Sequence, residues 1–464
     1  MRYTKDIPVF GFYDIVVCGG GFSGFAAAFA AAREGKRVIL IEKGSCLGGV
    51  GTQAMVNHIL GQRIWQNGKI MTCVGGIYDH LERRLVSEGN AVDINQVDMS
   101  CPPYGWFPGL AIGLIFNGEA MKSLLEQMLT EMAVNILYLT DIVDVLLENN
   151  SVTGILVHNK SGLQVIKGLQ FVDATGDGDI CAMSGCHFDY GDEEHGTASA
   201  SLEMHVENVD HQALTDYMRQ TRDVRFRALI EPLQQAGKWP FPYNIFISVM
   251  MTQKDVFMIN TIRQVGIDGT NGQSLTQGII DGRKENLQLF SVMKEHFPGF
   301  QNARIRQIAP MIGIRETRRI HGEYTLTVED LITGRDFTDG IAVSGYGWDL
   351  PHPKHPSLQP FHGIARQSPY TQIPYRCLVP KGINNLIMAG RCISTEREVM
   401  GPVRVMGPCL AMGECAGLAS AIAIELQIPF RDVPINTLQE KIHSYGGITN
   451  RSQIRPFSST CTQS

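Results

Sequence analysis

The sequence predicts an α/β fold in which a Rossmann-like domain, assembled from separated parts of the chain, carries an inserted α+β domain. Three observations predict it. Residues 14–42 spell a strand, a glycine turn, an alanine-rich helix and a second strand. Residues 118–179 then read as a helix, a run of short strands and a second glycine-rich turn. Finally, an apolar strand and a long apolar helix return at 385–426, after a central stretch of different texture.

The first unit explains itself position by position. Gly19 permits the tight turn after the strand, Gly21 lets the backbone approach a pyrophosphate, and Gly24 lets the helix pack close to the sheet. The helix opening at Phe22 and Ser23 aims unpaired N–H groups and its positive dipole end at the phosphates. Glu42, ending the second strand, can accept hydrogen bonds from a ribose diol. Its carboxylate would repel a ribose 2′-phosphate, which favours FAD or NAD over NADP. Lys43, Gly48, Gly49, Gly51 and Thr52 continue the glycine usage past that acid. Simple NAD domains seldom need such an extension, but a chain wrapping the whole length of FAD does.

Further along, Gly118–Ala133 has helical spacing in Met121, Leu124, Leu125, Met128 and Met132 and leads into a strand at Asn135–Leu139. Alternating segments at Asp141–Leu147, Val152–His158 and Gln164–Lys167, separated by turns, predict a three-stranded meander. An exit strand at Gly168–Ala174 then runs into Thr175-Gly-Asp-Gly-Asp179.

Four stretches now stand together: the first glycine unit through Thr52, Phe171–Asp179, Ile312–Tyr324, and Asn385–Ser394 followed by Gly401–Cys409. They resemble a family of FAD-dependent oxidoreductases with the glutathione-reductase type of flavin fold, over nearly the full chain. The resemblance implies an α/β, Rossmann-like FAD-binding domain of that type, made of residues 12–60, 114–185 and 380–430. It implies an inserted α+β substrate or cap domain at 61–113 and 186–379, with a frayed C-terminal tail at 431–464. FAD is the implied cofactor. The backbone near Asp141–Val143 is expected at the adenine, with Ala174, Thr175, Gly176 and Asp177 close to the dinucleotide. Gly390 and Arg391 end the returning strand. Gly407, Cys409 and Leu410 lie at the start of a helix, expected near Pro408, that points at the pyrimidine edge of the flavin. One departure stands out: many flavoproteins place an aspartate after the glycine of the returning strand. Arg391 cannot accept a hydrogen bond, so its guanidinium is expected to pair with the pyrophosphate instead.

Composition narrows the classes. The chain has 464 residues and 49 glycines, about a tenth against an ordinary ~7%, as suits a backbone that repeatedly approaches a long cofactor. Net charge is −6 with no long basic run, which argues against a nucleic-acid partner. The cysteines show no CxxC spacing, so neither an iron–sulfur cluster nor a redox dithiol is encoded locally. The N-terminus lacks the apolar segment of a signal peptide, and the apolar stretch Val405–Leu426 is interrupted by glycines and Glu414. A cytoplasmic protein with a buried helix, rather than a membrane span, is expected.

The chemistry is expected on three segments. Arg315 emerges from apolar Ile308–Ile314 at the head of a charged cluster containing Glu316, Arg318, Arg319, His321 and Glu323. It and Arg404 are candidates to hold a carboxylate or enolate oxygen at the flavin. The loop from Tyr346 to His362 carries His352 and His355 between prolines, a spacing that is not a helical metal motif, so no metal is expected. Tyr346 or His352 is expected as the proton partner, and Tyr375 and Arg376 as shaping the substrate pocket. The expected function is hydride transfer between a small-molecule substrate carbon and flavin N5. No second glycine fingerprint follows a strand, so the electron donor or acceptor is external. A flavin-binding RNA-modification or electron-carrier subunit is the alternative, and a purely structural nucleotide a further one. Oligomeric state, the direction of the reaction and covalent attachment of FAD stay open.

Overall fold

The computed structural model describes residues 4–357, 361 and 363–457, so His362 and Cys461 lie outside the described residues. Its central sheet has seven strands: β1 (Val9–Cys18), β2 (Val38–Ile41), β3 (Asn135–Leu137), β4 (Asp141–Glu148), β5 (Ser151–Asn159), β6 (Gly162–Asp173) and β7 (Leu386–Met388). They run in the order β3-β2-β1-β6-β5-β4, with β7 joining β6. β1, β2 and β3 pair in parallel, and β1 pairs in parallel with β6. Strands covered on both faces read as unbroken apolar runs, which is why Ile15–Cys18, Val38–Ile41 and Leu386–Met388 are wholly buried.

β6 changes partner along its length. Its first half pairs antiparallel with β5, and Phe171–Asp173 pairs in parallel with β7. The expected break between a third meander strand and an exit strand is therefore absent. Gly168 reads as punctuation in the sequence, but in the fold it marks a close approach. A Cβ there would lie 2.7 Å from a Val16 methyl.

Two helices pack on this sheet almost backbone to backbone. α1 (Phe22–Arg33) and α2 (Met406–Leu426) meet where Cβ atoms on Gly413 and Gly417 would overlap the Ser23 and Ala27 carbonyl oxygens. Ala26, Ala27, Ala30 and Ala31 line the same seam and are fully buried. α2 is long and apolar enough to cross a membrane, yet 78% of its apolar window is buried within the protein, as befits a core helix. It begins at Met406, two residues before the expected Pro408, which sits in its first turn where a missing N–H leaves no bond unmade.

A second core lies under a four-stranded antiparallel sheet made by Ser248–Met250, Phe257–Ile259, Met204–Glu207 and Arg304–Ile308. Phe226, Phe246, Phe257, Phe297 and Phe300 fill it, with the Phe246 and Phe297 rings 4.6 Å apart. The helix Gly272–His296 presents Gly278, Gly282, Asn286, Leu289 and Met293 as its buried stripe, and the Asn286 amide donates to the Leu202 carbonyl.

The expected residue limits of the inserted domain do not coincide with the packing. Ile320, Leu331, Ile341, Ile373 and Tyr375 belong to the core around the central sheet, not to the second core. The expected frayed tail is also corrected over its described part. Leu438 and Ile442 of the helix Ile435–Ser444 are buried in the main core, and Arg455–Pro456 pairs with the strand Lys69–Thr72.

Candidate functional site

The carboxyl ends of β1, β2, β6 and β7 open into a cavity of about 1370 Å³ that continues without interruption to the second sheet. Ligands of open α/β sheets bind at this edge. The volume exceeds the ~300–1,000 Å³ of an ordinary small-molecule pocket, leaving room for a long cofactor and a second ligand.

The nucleotide end is shaped by backbone. Gly19 holds φ at +100°, and a Cβ there would lie 2.5 Å from the Ala174 carbonyl oxygen. A Cβ on Gly24 would overlap the Gly19 carbonyl oxygen, so this glycine sets the distance between helix and sheet and does not line the cavity. Gly21 is the opposite case, since a Cβ on it meets no atom within 4 Å and would project into the cradle. No side chain caps α1, whose first-turn residues Phe22 and Ser23 line the cavity.

Glu42 is buried and organises the turn around it. Its Oε2 accepts from the Gly20 N–H at 2.6 Å and its Oε1 from the Gly44 N–H at 2.6 Å, with Gln53 Nε2 at 3.2 Å. A carboxylate accepts about four hydrogen bonds, so one position remains for a ribose hydroxyl. Lys43, Gly48 and Gly49 line the cavity beside it, and the Gly48 N–H donates to the Gly20 carbonyl to hold the two loops together. Gly51 and Thr52 do not reach the cavity. A Cβ on Gly51 would strike the Phe22 ring, and the Thr52 hydroxyl donates to the Leu47 carbonyl, so both brace the loop from behind.

Ala174, Thr175, Gly176 and Asp177 line the cavity after β6, and Gly390 and Arg391 after β7. Arg391 is corrected: its guanidinium is engaged by Asp177 Oδ1 at 2.6 Å and the Thr317 hydroxyl at 2.8 Å, which ties the two turns together. Of the expected segment Asp141–Val143, Asp141 and Ile142 line the cavity with Thr140, whereas Val143 is exposed and off it. At α2, Met406 and Cys409 line the cavity. Gly407 and Leu410 do not: Gly407 packs on the Leu60–Gln62 backbone, and Leu410 is in the core.

At the far end, Arg315, Tyr346 and Arg404 all line the cavity. Arg315 donates to the Ser199 carbonyl, and to the Ser201 hydroxyl at 2.8 Å. Tyr346 donates to Asp349 at 3.0 Å, and Arg404 donates to the Asp349 carbonyl at 2.8 Å and approaches its carboxylate at 3.5 Å. Burial, reinforced by Asp349, pushes the Tyr346 phenol far above its ordinary range, so it stays protonated. Burial also works against the Asp349 charge, but Arg404 and Arg315 together outweigh it and hold the carboxyl below its usual value.

Three expected site residues are elsewhere. His352 stands off the cavity, its ring stacked on His355 and its Nδ1 accepting from the Lys354 N–H. Tyr375 is buried in the main core and donates to the Phe430 carbonyl. Arg376 pairs with Asp339 at 2.9 Å. In the charged cluster, Glu316 is buried between Arg397 at 2.7 Å and Arg319 at 3.1 Å, a structural network rather than a solvated run.

The cavity also gathers residues that the sequence reading did not single out: Glu203, Arg225, Asn260, Arg263 and Asp349. Only Glu203 left a local trace, as a lone acid in the otherwise small or apolar run Ala198–Met204. Burial pushes its carboxyl up to about 8, with Arg315 and Arg263 opposing. Among the described residues no three His, Cys, Asp or Glu side chains group to hold a metal ion.

A flavin dinucleotide fits what the chain offers: an open cradle at Gly21, an uncapped helix, a buried acid with an acceptor position left, and positive-φ glycines at 19, 48, 176 and 390. Sequence comparison agrees, for residues 14–442 match the FAD dependent oxidoreductase family, and the chain belongs to it. It is an FAD-dependent enzyme. Comparison with curated proteins gave no match. Among solved structures, a geranylgeranyl bacteriochlorophyll reductase-like protein from Thermoplasma acidophilum is similar at 12% identity and TM-score 0.44, over 93% of this chain and 83% of that one. The flavin-dependent brominase Bmp2 aligns at 12% identity and TM-score 0.46, over 94% and 83%. The flavin-dependent monooxygenase PieE, solved with FAD and substrate, aligns at 10% identity and TM-score 0.48, over 90% and 59%.

Proposed function

We propose that this enzyme moves a hydride between a carbon of a small-molecule substrate, held at the second-sheet end of the cavity, and flavin N5. The observation that carries the reading is continuity: the nucleotide cradle and the polar chamber of Arg315, Tyr346 and Arg404 are parts of one cavity. FAD supplies the two-electron chemistry when bound. The Gly19–Gly21 turn and the α1 N-terminus would hold its phosphates and Glu42 its ribose, with Gly390 and Cys409 lining the same cavity. Tyr346, kept protonated and oriented by Asp349, holds the coupled proton at its phenolic oxygen. Arg315 and Arg404 stabilise developing negative charge on a substrate oxygen. With His352 off the cavity, the proton role falls to Tyr346.

The sheet order, with β6 shared between β1, β5 and β7, supports the glutathione-reductase type of flavin domain. Ten cysteines among the described residues are free thiols, which supports a reducing, cytoplasmic setting. A flavin-binding RNA-modification or electron-carrier subunit would have little use for the enclosed arginine-lined chamber. Anaerobic reduction of the holoprotein tests the proposal. Tyr346→Phe should keep FAD and slow substrate-driven bleaching by about 10²-fold. Bleaching at the wild-type rate would remove Tyr346 from the reaction.

A further inference from the structure

We infer that the chamber formed by Arg225, Arg263 and Arg315 is built to receive a carboxylate, so that the substrate is a carboxylic acid. The inference rests on the hydride-transfer reading of the same cavity and adds the chemical class.

Two guanidinium groups are held against each other. Arg263 Nη1 donates to the Ser201 hydroxyl at 3.0 Å and to Asn260 Oδ1 at 3.0 Å. Arg315 Nη2 donates to the same hydroxyl at 2.8 Å and approaches the same amide oxygen at 3.5 Å. Like charges sharing two acceptors repel, and burial adds a desolvation penalty to each ion. Both groups feel it, since burial together with the neighbouring arginines lowers the Arg315 guanidinium from its ordinary range, and burial lowers Arg263 in the same direction.

Arg225 completes the set. It lines the cavity, stacks on the Phe107 ring at 5.1 Å, and among the described residues its guanidinium makes no hydrogen bond or ion pair. Its planar fork is free for a ligand. Arg263 likewise donates only through Nη1 in the bonds described, leaving Nη2.

The protein itself supplies less negative charge than these arginines carry. Asp349 is in contact with Arg404 and Tyr346, and its single charge also acts on Arg225, Arg263 and Arg315. Glu203 forms no ion pair among the described residues, and burial pushes its carboxyl up, against the pull of Arg315 and Arg263. The residues outside the described set contain no Asp or Glu. The missing negative charge is therefore a ligand's, and a planar, two-oxygen group matches the free fork of Arg225 and the remaining edge of Arg263. Trp65, Phe107 and Trp348 give the same cavity apolar walls for the substrate's body.

The test uses holoprotein, with benzoate as the probe, benzamide as its uncharged isostere and phenyl phosphate as the rival anion, read by calorimetry and by perturbation of the flavin absorbance. Benzoate should bind at least about 10-fold more tightly than benzamide or phenyl phosphate. Arg225→Gln should weaken benzoate by about 10-fold or more with benzamide unchanged, and Arg225→Lys should recover part of the loss. Equal affinity for benzoate and benzamide overturns the inference without any variant, and tighter phenyl phosphate overturns the carboxylate assignment. Benzoate binding that is lost in Arg225→Gln but never perturbs the flavin supports the anion chamber and overturns the functional reading instead.

Discussion

A valine or alanine at Gly21 should separate folding from cofactor binding. A Cβ there meets no atom within 4 Å, and the backbone is extended at φ −64° and ψ −178°, so a side chain enters without strain. Losing glycine at the N-cap disfavours the helix by at most about 1 kcal/mol, and a less flexible unfolded chain offsets that by about 0.4–1 kcal/mol. The Gly21→Ala apoprotein should thus melt within a few degrees of wild type. Its methyl group, however, stands where the pyrophosphate must approach the α1 N–H groups. Each hydrogen bond to a charged group contributes about 1.5–3 kcal/mol, so displacing two should weaken FAD by about 10²-fold or more, and Gly21→Val further. Gly24→Ala is the contrasting case, because its Cβ overlaps the Gly19 carbonyl oxygen and over-packing lowers stability itself by about 1–3 kcal/mol. Apoprotein melting and FAD titration by fluorescence quenching measure both effects. Wild-type FAD affinity in Gly21→Val, or a Gly21→Ala apoprotein that melts far below wild type, would refute the placement of the cradle.

Arg391→Met should lower stability by about 3 kcal/mol by leaving Asp177 unpaired in a mostly buried pair, read as a shift in the urea midpoint; an unchanged midpoint would show the pair to be dispensable. His352→Ala should leave substrate turnover within twofold of wild type, as its position off the cavity requires, and a loss of about 10²-fold would return it to the reaction. His58 Nε2–H donates to the Leu110 carbonyl at 2.9 Å, and burial, only partly opposed by that contact, lowers the imidazole from 6.5 to about 4. Its contribution is whole above pH 6.5, where both states are neutral, and is lost as pH falls toward 4, because the unfolded chain takes up the proton first. Wild type should therefore lose up to about 3 kcal/mol relative to His58→Gln between pH 7 and pH 4, and a constant difference across that range would contradict the assignment.

What the sequence disclosed is what short segments dictate. Gly19, Gly21 and Gly24 could be assigned because a turn, an approach and a helix contact are local demands, and Glu42 because it ends a strand at a fixed distance from them. Local spacing could not say which way a side chain faces. Gly51 and Thr52 belong to the same glycine run as Gly48 and Gly49, yet they brace the loop from behind. Tyr375 and Arg376 occupy a short 3₁₀ turn whose tyrosine enters the core and whose arginine turns to Asp339. Of the arginine chamber only Arg315 was legible. Arg225 and Arg263 come from loops far from it in the chain, and strands as short as Ser248–Met250 and Phe257–Ile259 carry no periodic signal. Gly168 misled for the converse reason, since a glycine chosen for close packing within a strand looks in sequence like one chosen for a turn.

The central claim is that a single cavity holds FAD and a substrate that exchanges a hydride with it. Anaerobic mixing of the holoprotein with a fractionated pool of small metabolites, recorded as loss of flavin absorbance, tests it most directly, with chemically reduced holoprotein run in parallel for the opposite direction. The account predicts that redox change of the flavin follows the carboxylic-acid fraction and is slowed by about 10²-fold in Arg315→Ala with FAD still bound. Flavin that responds to no fraction in either direction, or that responds equally in wild type and Arg315→Ala, would contradict it.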